Sequence, residues 1–188
     1  MVMNGPNLRA ACAAIALVIL AGCGGGGGSE GQATAKPPSS TTPTPAAVTS
    51  GPRPDDVRSD AGAIAFSKFA VERIVGVTSG AKVDDVLGLA SADCKGCIKL
   101  AKDMKKAGTV KQQFAAAPVI SDAKVIDTSG DQYLVEQVLE LAPGRKVDTA
   151  TGKTVETFKD KTRLDVRILM TWTDDRWILS NYSSEQAS

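Results

Sequence analysis

The stretch RLDVRILMTWTDDRWILSNY, residues 163–182, decides how this chain folds. Apolar and polar residues alternate through its first half, and a period of two is typical of a strand with one buried face. The two aspartates at 174–175 form a two-residue turn into a second strand, so Trp172 is expected opposite Trp177. One apolar side then runs along the first strand of the hairpin: Leu164, Val166, Ile168, Met170 and Trp172.

Two more strands precede this hairpin, and helices precede the strands. VISDAKVID (119–127) and QYLVEQVLEL (132–141) flank a Thr-Ser-Gly turn, while residues 148–154 are expected to form a loop or a hairpin tip. Helical spacing of apolar residues predicts helices over 60–77, 83–89 and 93–107, the first with Asp60 as its N-cap. The sequence therefore predicts an α+β domain whose N-terminal helices pack on an antiparallel sheet of about four strands.

The order of helices followed by a strongly alternating sheet that ends ILMTWTDDRWILSNY resembles the cystatin-like or NTF2-like fold. The resemblance covers residues 60–183 and implies a curved sheet that wraps the long first helix. It also implies a pocket between helix and sheet, and such pockets are usually lined by aromatic side chains with a few polar groups. The aromatic residues that would either line a pocket or form the core are Phe66, Tyr133, Trp172 and Trp177.

The N-terminus has the pattern of an export signal. Arg9 precedes an apolar run over residues 10–22, which is too short for a membrane-spanning helix and typical of a signal peptide. The run ends Leu20-Ala21-Gly22-Cys23, which resembles the lipobox of bacterial lipoproteins. The resemblance implies cleavage between Gly22 and Cys23, lipidation of the Cys23 thiol, and anchoring at the extracytoplasmic face of the cell membrane.

Residues 23–59 are rich in Gly, Ser, Thr and Pro and poor in apolar side chains, which predicts a disordered tether. The expected organisation is a signal peptide (1–22), the lipidated tether (23–59), the α+β domain (60–183) and a C-terminal tail (184–188). The lipobox, the Thr/Pro-rich tether and a single Cys-x-x-Cys before the sheet look like an uncharacterised family of actinobacterial lipoproteins. That resemblance implies no particular activity.

Composition excludes several classes of function. The chain has no histidine, which excludes Ser-His-Asp triads, Cys-His pairs and His-ligated zinc. Residues 60–188 hold 18 basic and 18 acidic side chains, so no nucleic-acid binding is expected. ATGKT at 150–154 is not a phosphate-binding loop, because Val147 stands where that motif needs glycine. We expect no metal site, no cofactor and a monomer.

Cys94 and Cys97 are the sharpest candidate site in the domain. Two thiols this close are expected to form a disulfide in the oxidising extracytoplasmic space. Residues three apart on a regular helix are too widely spaced for that bond, so the pair is expected where the third helix begins, with Asp93 as cap. The bridge is favoured as structural, and a redox-active dithiol is the alternative.

The leading hypothesis is a non-catalytic lipoprotein that displays the α+β domain and binds a protein or ligand in the cell envelope. One alternative is a thiol–disulfide protein that uses Cys94 and Cys97, and a second is a pocket enzyme that uses carboxylates. A stripe of lysines on the third helix is either a solvated face or a contact for anionic lipids or wall polymers: Lys95, Lys99, Lys102 and Lys106.

Overall fold

Three helices come first in the computed structural model, which describes residues 51–187. They are α1 (Asp60–Ser79), α2 (Asp84–Leu87) and α3 (Lys95–Ala107), so the three predicted helices are confirmed with small shifts at their ends. The predicted N-cap of α1 is wrong by one residue. Ser59 caps the helix by accepting a hydrogen bond from the Gly62 N–H, and Asp60 lies in the first turn, where its charge faces the positive end of the helix.

Seven antiparallel strands follow and form two sheets. Four of them build a sheet in the order β2-β3-β6-β7, which confirms the predicted sheet of about four strands. The other three build a second sheet in the order β1-β4-β5, which the sequence did not predict. The strands are β1 (Val110–Phe114), β2 (Val119–Ser129), β3 (Gln132–Leu141), β4 (Gly144–Asp148), β5 (Thr154–Phe158), β6 (Thr162–Thr173) and β7 (Arg176–Gln186).

The β6–β7 hairpin has the register that its turn predicts. Trp172 pairs with Trp177, and the two turn residues Asp174 and Asp175 have φ angles of 50° and 55°. A two-residue turn of this hand needs positive φ at both positions, which aspartate tolerates better than most residues. β7 continues to Gln186, so most of the predicted C-terminal tail is a paired strand.

The core lies between α1 and the inner face of the four-stranded sheet. On α1 the buried residues include Phe66 as predicted and also Phe69 and Val71, because α2 and the second sheet cover further sides of the helix. One polar pair lies inside this core. The Gln137 side-chain amide donates to the Ser67 carbonyl at 3.3 Å, so the buried amide is satisfied and joins β3 to α1.

The end of the predicted tether is packed on the domain. Arg53 donates to the Trp177 carbonyl (2.8 Å), and the carboxylate of Asp56 accepts from the Trp177 backbone N–H (3.0 Å) and from Arg53 (2.9 Å). The Trp177 indole N–H donates to the Val57 carbonyl at 3.0 Å. β7 is an edge strand, so its outward backbone groups need partners from elsewhere. The Gly51 carbonyl also accepts from Arg73 of α1 at 3.1 Å, so the described residues before residue 60 already belong to the folded unit.

The predicted signal peptide, the lipobox and the tether as far as residue 50 lie outside the described residues. Among residues 51–187, the structure contains no helix that is both long enough and apolar enough to cross a membrane.

Candidate functional site

A cavity of about 240 Å³ lies between α1, α3 and the four-stranded sheet. Its walls come from six elements of the fold, and most of them are aliphatic. The lining residues are Val71, Ile74, Val75, Thr78, Leu100, Gln112, Leu139, Leu141, Leu164, Val166, Tyr182 and Ser184.

The two-residue period of the strands and the 3.6-residue period of the helix bring these side chains together. Leu164 and Val166 occupy successive inward positions on β6, and Leu139 of β3 is the register partner of Leu164. On α1, the lining residues Val71, Ile74, Val75 and Thr78 follow the i, i+3, i+4, i+7 spacing of one helical face. The cavity is therefore a gap that the last two turns of α1 leave above this end of the sheet.

The polar groups of the lining are few and uncharged. The Thr78 hydroxyl donates to the Val75 carbonyl at 2.8 Å and is already paired. Burial, together with the nearby Asp103 carboxylate, raises the pKa of Tyr182 to about 12. The Tyr182 hydroxyl therefore stays protonated at physiological pH and remains a hydrogen-bond donor. Gln112 and Ser184 supply the other polar side chains.

The lining contains no Asp, Glu, Lys or Arg. General acid–base catalysis by a carboxylate needs that group within hydrogen-bond reach of the reacting atoms. The walls of this cavity offer none, so the arrangement favours enclosure of an uncharged group. In the part of the chain that the structure describes, no cluster of three or more Cys, Asp or Glu residues has the geometry to hold a metal ion.

The four aromatic residues that the sequence singled out lie elsewhere, in the core near the β6–β7 turn. The Trp177 ring meets the rings of Tyr133 and Trp172 edge-on, with centroids 4.9 and 5.0 Å away. Phe66 is 1% exposed and carries the Arg53 guanidinium 5.0 Å above its ring. None of the four lines the cavity.

The aromatic cluster and the cavity occupy opposite ends of the sheet. Val166, in the cavity wall, and Trp172 are six positions apart on β6, which corresponds to about 20 Å at 3.3 Å per residue. The sequence did not find the cavity residues, because their apolar alternation is that of any buried strand. The alternation of β6 did place Leu164 and Val166 on the apolar side of the strand, but it could not show that this end of the strand borders a cavity.

Cys94 and Cys97 form a disulfide where α3 begins, with their Cα atoms 5.2 Å apart. The predicted cap Asp93 is corrected to Cys94, whose sulfur accepts from the Cys97 backbone N–H. Gly96 is needed for the packing of this helix. A Cβ at this position would lie 2.5 Å from the Tyr182 carbonyl oxygen, so only glycine lets α3 approach β7 this closely.

Both cysteines are buried, with 0% exposure for Cys94 and 1% for Cys97. Thiol–disulfide exchange requires an attacking thiolate to reach a sulfur atom. No such approach exists in this conformation, because both cysteines belong to the buried core cluster, which also contains Leu89, Leu100 and Leu179. The arrangement favours a structural bridge that stiffens the buried first turn of α3 over a redox-active pair.

No family model and no curated protein matches this chain. Among solved structures, it is similar to the intermembrane space region of the chloroplast protein ARC6, at 14% identity and a TM-score of 0.47, over 70% of this chain and 100% of that one. It is also similar to an NTF2-like protein of unknown function from Rhodospirillum rubrum, at 17% identity and a TM-score of 0.45, over 64% and 98%.

A third similar structure is a ketosteroid isomerase-like protein from Erwinia carotovora, at 17% identity and a TM-score of 0.41, over 64% of this chain and 93% of that one. The solved structures that resemble the chain thus include proteins described as NTF2-like and as having a cystatin-like fold. The predicted α+β class, with N-terminal helices packed on an antiparallel sheet, is confirmed by the helices and sheets of the structure itself. Similarity at this level carries no activity over to this chain.

Proposed function

We propose that this chain is a lipid-anchored, extracytoplasmic protein whose domain binds a small, uncharged and largely apolar molecule in the cavity between α1 and the four-stranded sheet. The observation that carries the proposal is the composition of the lining. Eight of its twelve residues are Val, Ile or Leu, and the remaining four are polar but uncharged. Concave apolar sites with a few polar groups are the usual form of a small-molecule site.

The size of the cavity bounds the ligand. A dry apolar cavity of about 150 Å³ is enough to bind benzene. A cavity of about 240 Å³ therefore suits a bicyclic group or a short alkyl chain. Because the lining is uncharged, a charged group on the ligand would have to remain outside the cavity, where water solvates it. A hydroxyl or carbonyl on the ligand has a matching donor in Tyr182.

The location of the protein is proposed from the sequence. Leu20-Ala21-Gly22-Cys23 has the lipobox pattern, and acylation at Cys23 with two or more chains would anchor the protein stably. The tether between this anchor and Arg53 would then hold the cavity outside the membrane, within reach of molecules in the envelope.

A fluorescence titration with 1-naphthol, an apolar bicyclic molecule with one hydroxyl, tests the binding site. We use residues 51–188, which contain every described element. The Leu164→Phe variant places a larger side chain in the cavity wall. Leu169→Phe is the matched control, because Leu169 is on the same strand, is also partly buried, and faces the other side of the sheet.

The proposal expects saturable binding of one 1-naphthol per domain, weakened at least tenfold by Leu164→Phe and unchanged by Leu169→Phe. Thermal unfolding of both variants checks that each is folded. The absence of saturable binding, or an equal loss in the two variants, would reject the cavity as the binding site.

A further inference from the structure

The outer side of α3 concentrates positive charge that the rest of the domain does not share. The helix has a single acidic residue, Asp103, against five lysines, which gives it a charge of +4. Residues 60–188 as a whole are balanced, with 18 basic and 18 acidic side chains. All five lysines are exposed: Lys95, Lys99, Lys102, Lys105 and Lys106.

Helical geometry places these lysines on one face. Cys97 and Leu100 are buried against the domain, and at 100° per residue the lysine positions fall on the opposite half of the helix. Lys95 and Lys106 lie about 16 Å apart along the axis at 1.5 Å per residue. Asp103 pairs with Lys99 and lies at the edge of this face, nearer to Tyr182. The outer face of α3 therefore carries positive charge along its whole length.

This face is held rigidly and has an apolar residue at its centre. The Gly96 N–H donates to the Asn181 side chain at 3.0 Å, and this bond and the close contact of Gly96 with Tyr182 fix the start of the helix on β7. Ile98 is 41% exposed and lies among the lysines rather than toward the core. A cluster of four or more lysines on an amphipathic helix is a pattern of contacts with anionic lipid headgroups.

We propose that the outer face of α3 docks on the anionic phospholipid surface of the membrane that anchors the protein. The proposal rests on the lipid anchor proposed above, which brings the domain near that surface. Each lysine close to an anionic leaflet increases partitioning by about fivefold. Because one isoleucine buries little area, the contact is mainly electrostatic and is weakened by salt.

An emission measurement on vesicles tests this docking. The full chain, with Lys105→Cys labelled by an environment-sensitive dye, is incorporated into vesicles of phosphatidylcholine alone or with about a third of phosphatidylglycerol. The expected result is a blue-shifted emission only in the anionic vesicles, abolished in about 1 M NaCl, where the Debye length is about 3 Å. A label at Val155→Cys, which is 61% exposed on β5, should not respond.

Two variants, each with four Lys→Gln changes, distinguish an effect of the outer face of α3 from an effect of the net charge of the domain. The first, on α3, should abolish the shift: Lys95, Lys99, Lys102 and Lys106. The second, at other exposed positions, removes the same charge and should leave the shift intact: Lys82, Lys153, Lys159 and Lys161. Equal emission in the two kinds of vesicle, a response at the Val155 position, or the same loss in both sets would overturn the proposal.

Flotation of the same samples shows whether the chain stays attached to the vesicles, and this test of the lipid anchor does not depend on the dye. If the chain does not float with neutral vesicles, the anchor proposal fails, and the labelled chain is then mixed with free vesicles. The helix proposal still predicts a shift that depends on phosphatidylglycerol, and it is rejected if none occurs. A response to soluble polyphosphate without any response to anionic vesicles would also overturn it, in favour of an anionic polymer.

Discussion

Replacement of Asp56 by alanine should lower the stability of the domain although the residue precedes the first helix. Its carboxylate accepts hydrogen bonds from the Trp177 backbone N–H at 3.0 Å and from Arg53 at 2.9 Å. The variant leaves the Trp177 N–H, in a residue that is 0% exposed, without its partner. It also frees Arg53, whose second contact is the Trp177 carbonyl.

The magnitude follows from the degree of burial. Loss of a hydrogen bond to a charged group costs about 1.5–3 kcal/mol, and a buried N–H left unpaired is included in that range. The Arg53–Asp56 ion pair adds little, because the two side chains are 30% and 23% exposed and water screens their attraction. We therefore expect Asp56→Ala to lower the free energy of unfolding by about 2 kcal/mol. Asp56→Asn keeps an acceptor and should cost about 1 kcal/mol.

The effect has a defined pH dependence. Burial alone would raise the pKa of Asp56, but the hydrogen bonds from Arg53 and the Trp177 N–H outweigh burial and lower the pKa from 3.8. A carboxyl group with a lowered pKa stabilises the folded state above its unfolded pKa and loses that effect as the pH falls through the folded pKa. The advantage of the wild type over Asp56→Asn should thus be constant near neutral pH and shrink below about pH 4.

Urea unfolding of residues 51–188, followed by tryptophan fluorescence, measures these differences. Asp55→Ala is the matched control, because the Asp55 side chain is exposed and forms no hydrogen bond within the described residues. Its free energy of unfolding should stay within about 0.5 kcal/mol of the wild type. If Asp55→Ala and Asp56→Ala unfold alike, residues 53–57 are not docked in solution and the domain begins later.

Cys23→Ala should leave an unprocessed precursor, and mass spectrometry should find no acyl chain on it; acylation of the variant would contradict the lipobox interpretation. Exported protein should contain no free thiol at Cys94 or Cys97, and replacement of both by serine should cost at most about 3 kcal/mol because the closed loop is short. Partners trapped as mixed disulfides by Cys97→Ser would instead show a redox pair. Gly96→Ala should lower stability by about 1–3 kcal/mol, because its Cβ would meet the Tyr182 carbonyl at 2.5 Å; an unchanged melting temperature would mean that α3 shifts freely.

The β6–β7 hairpin and α1 could be predicted, because the residues that determine each of them are close together in the sequence. The β6–β7 hairpin follows from an alternating strand and a two-residue turn, which together set the pairing of Trp172 with Trp177. The prediction of α1 over residues 60–77 follows from an apolar helical face, and the observed helix continues to Ser79 and is closed by Gly80, whose φ is 119°. In both cases the decisive residues are neighbours in the chain.

The second sheet, the packed segment around Arg53 and the cavity were not predicted, because each depends on contacts between residues that are far apart in the sequence. VKQQF, GRKVD and TVETF are too short and too polar to be identified as strands, and they pair only because the chain brings them together. The composition around Arg53 and Asp56 is that of a linker, and its structure comes from contacts with Trp177, more than 120 residues away. The cavity likewise combines side chains from six elements whose local patterns show only that they are buried.

Methyl-resolved NMR of residues 51–188 with bound 1-naphthol tests the central claim most directly, because it shows which side chains touch the ligand. The account predicts nuclear Overhauser contacts from the naphthol ring to the methyl groups of Leu139, Leu164 and Val166, and none to the indole protons of Trp172 at the other end of the sheet. Contacts confined to the Trp172 end, or spread over the surface with none to Val166, would contradict it.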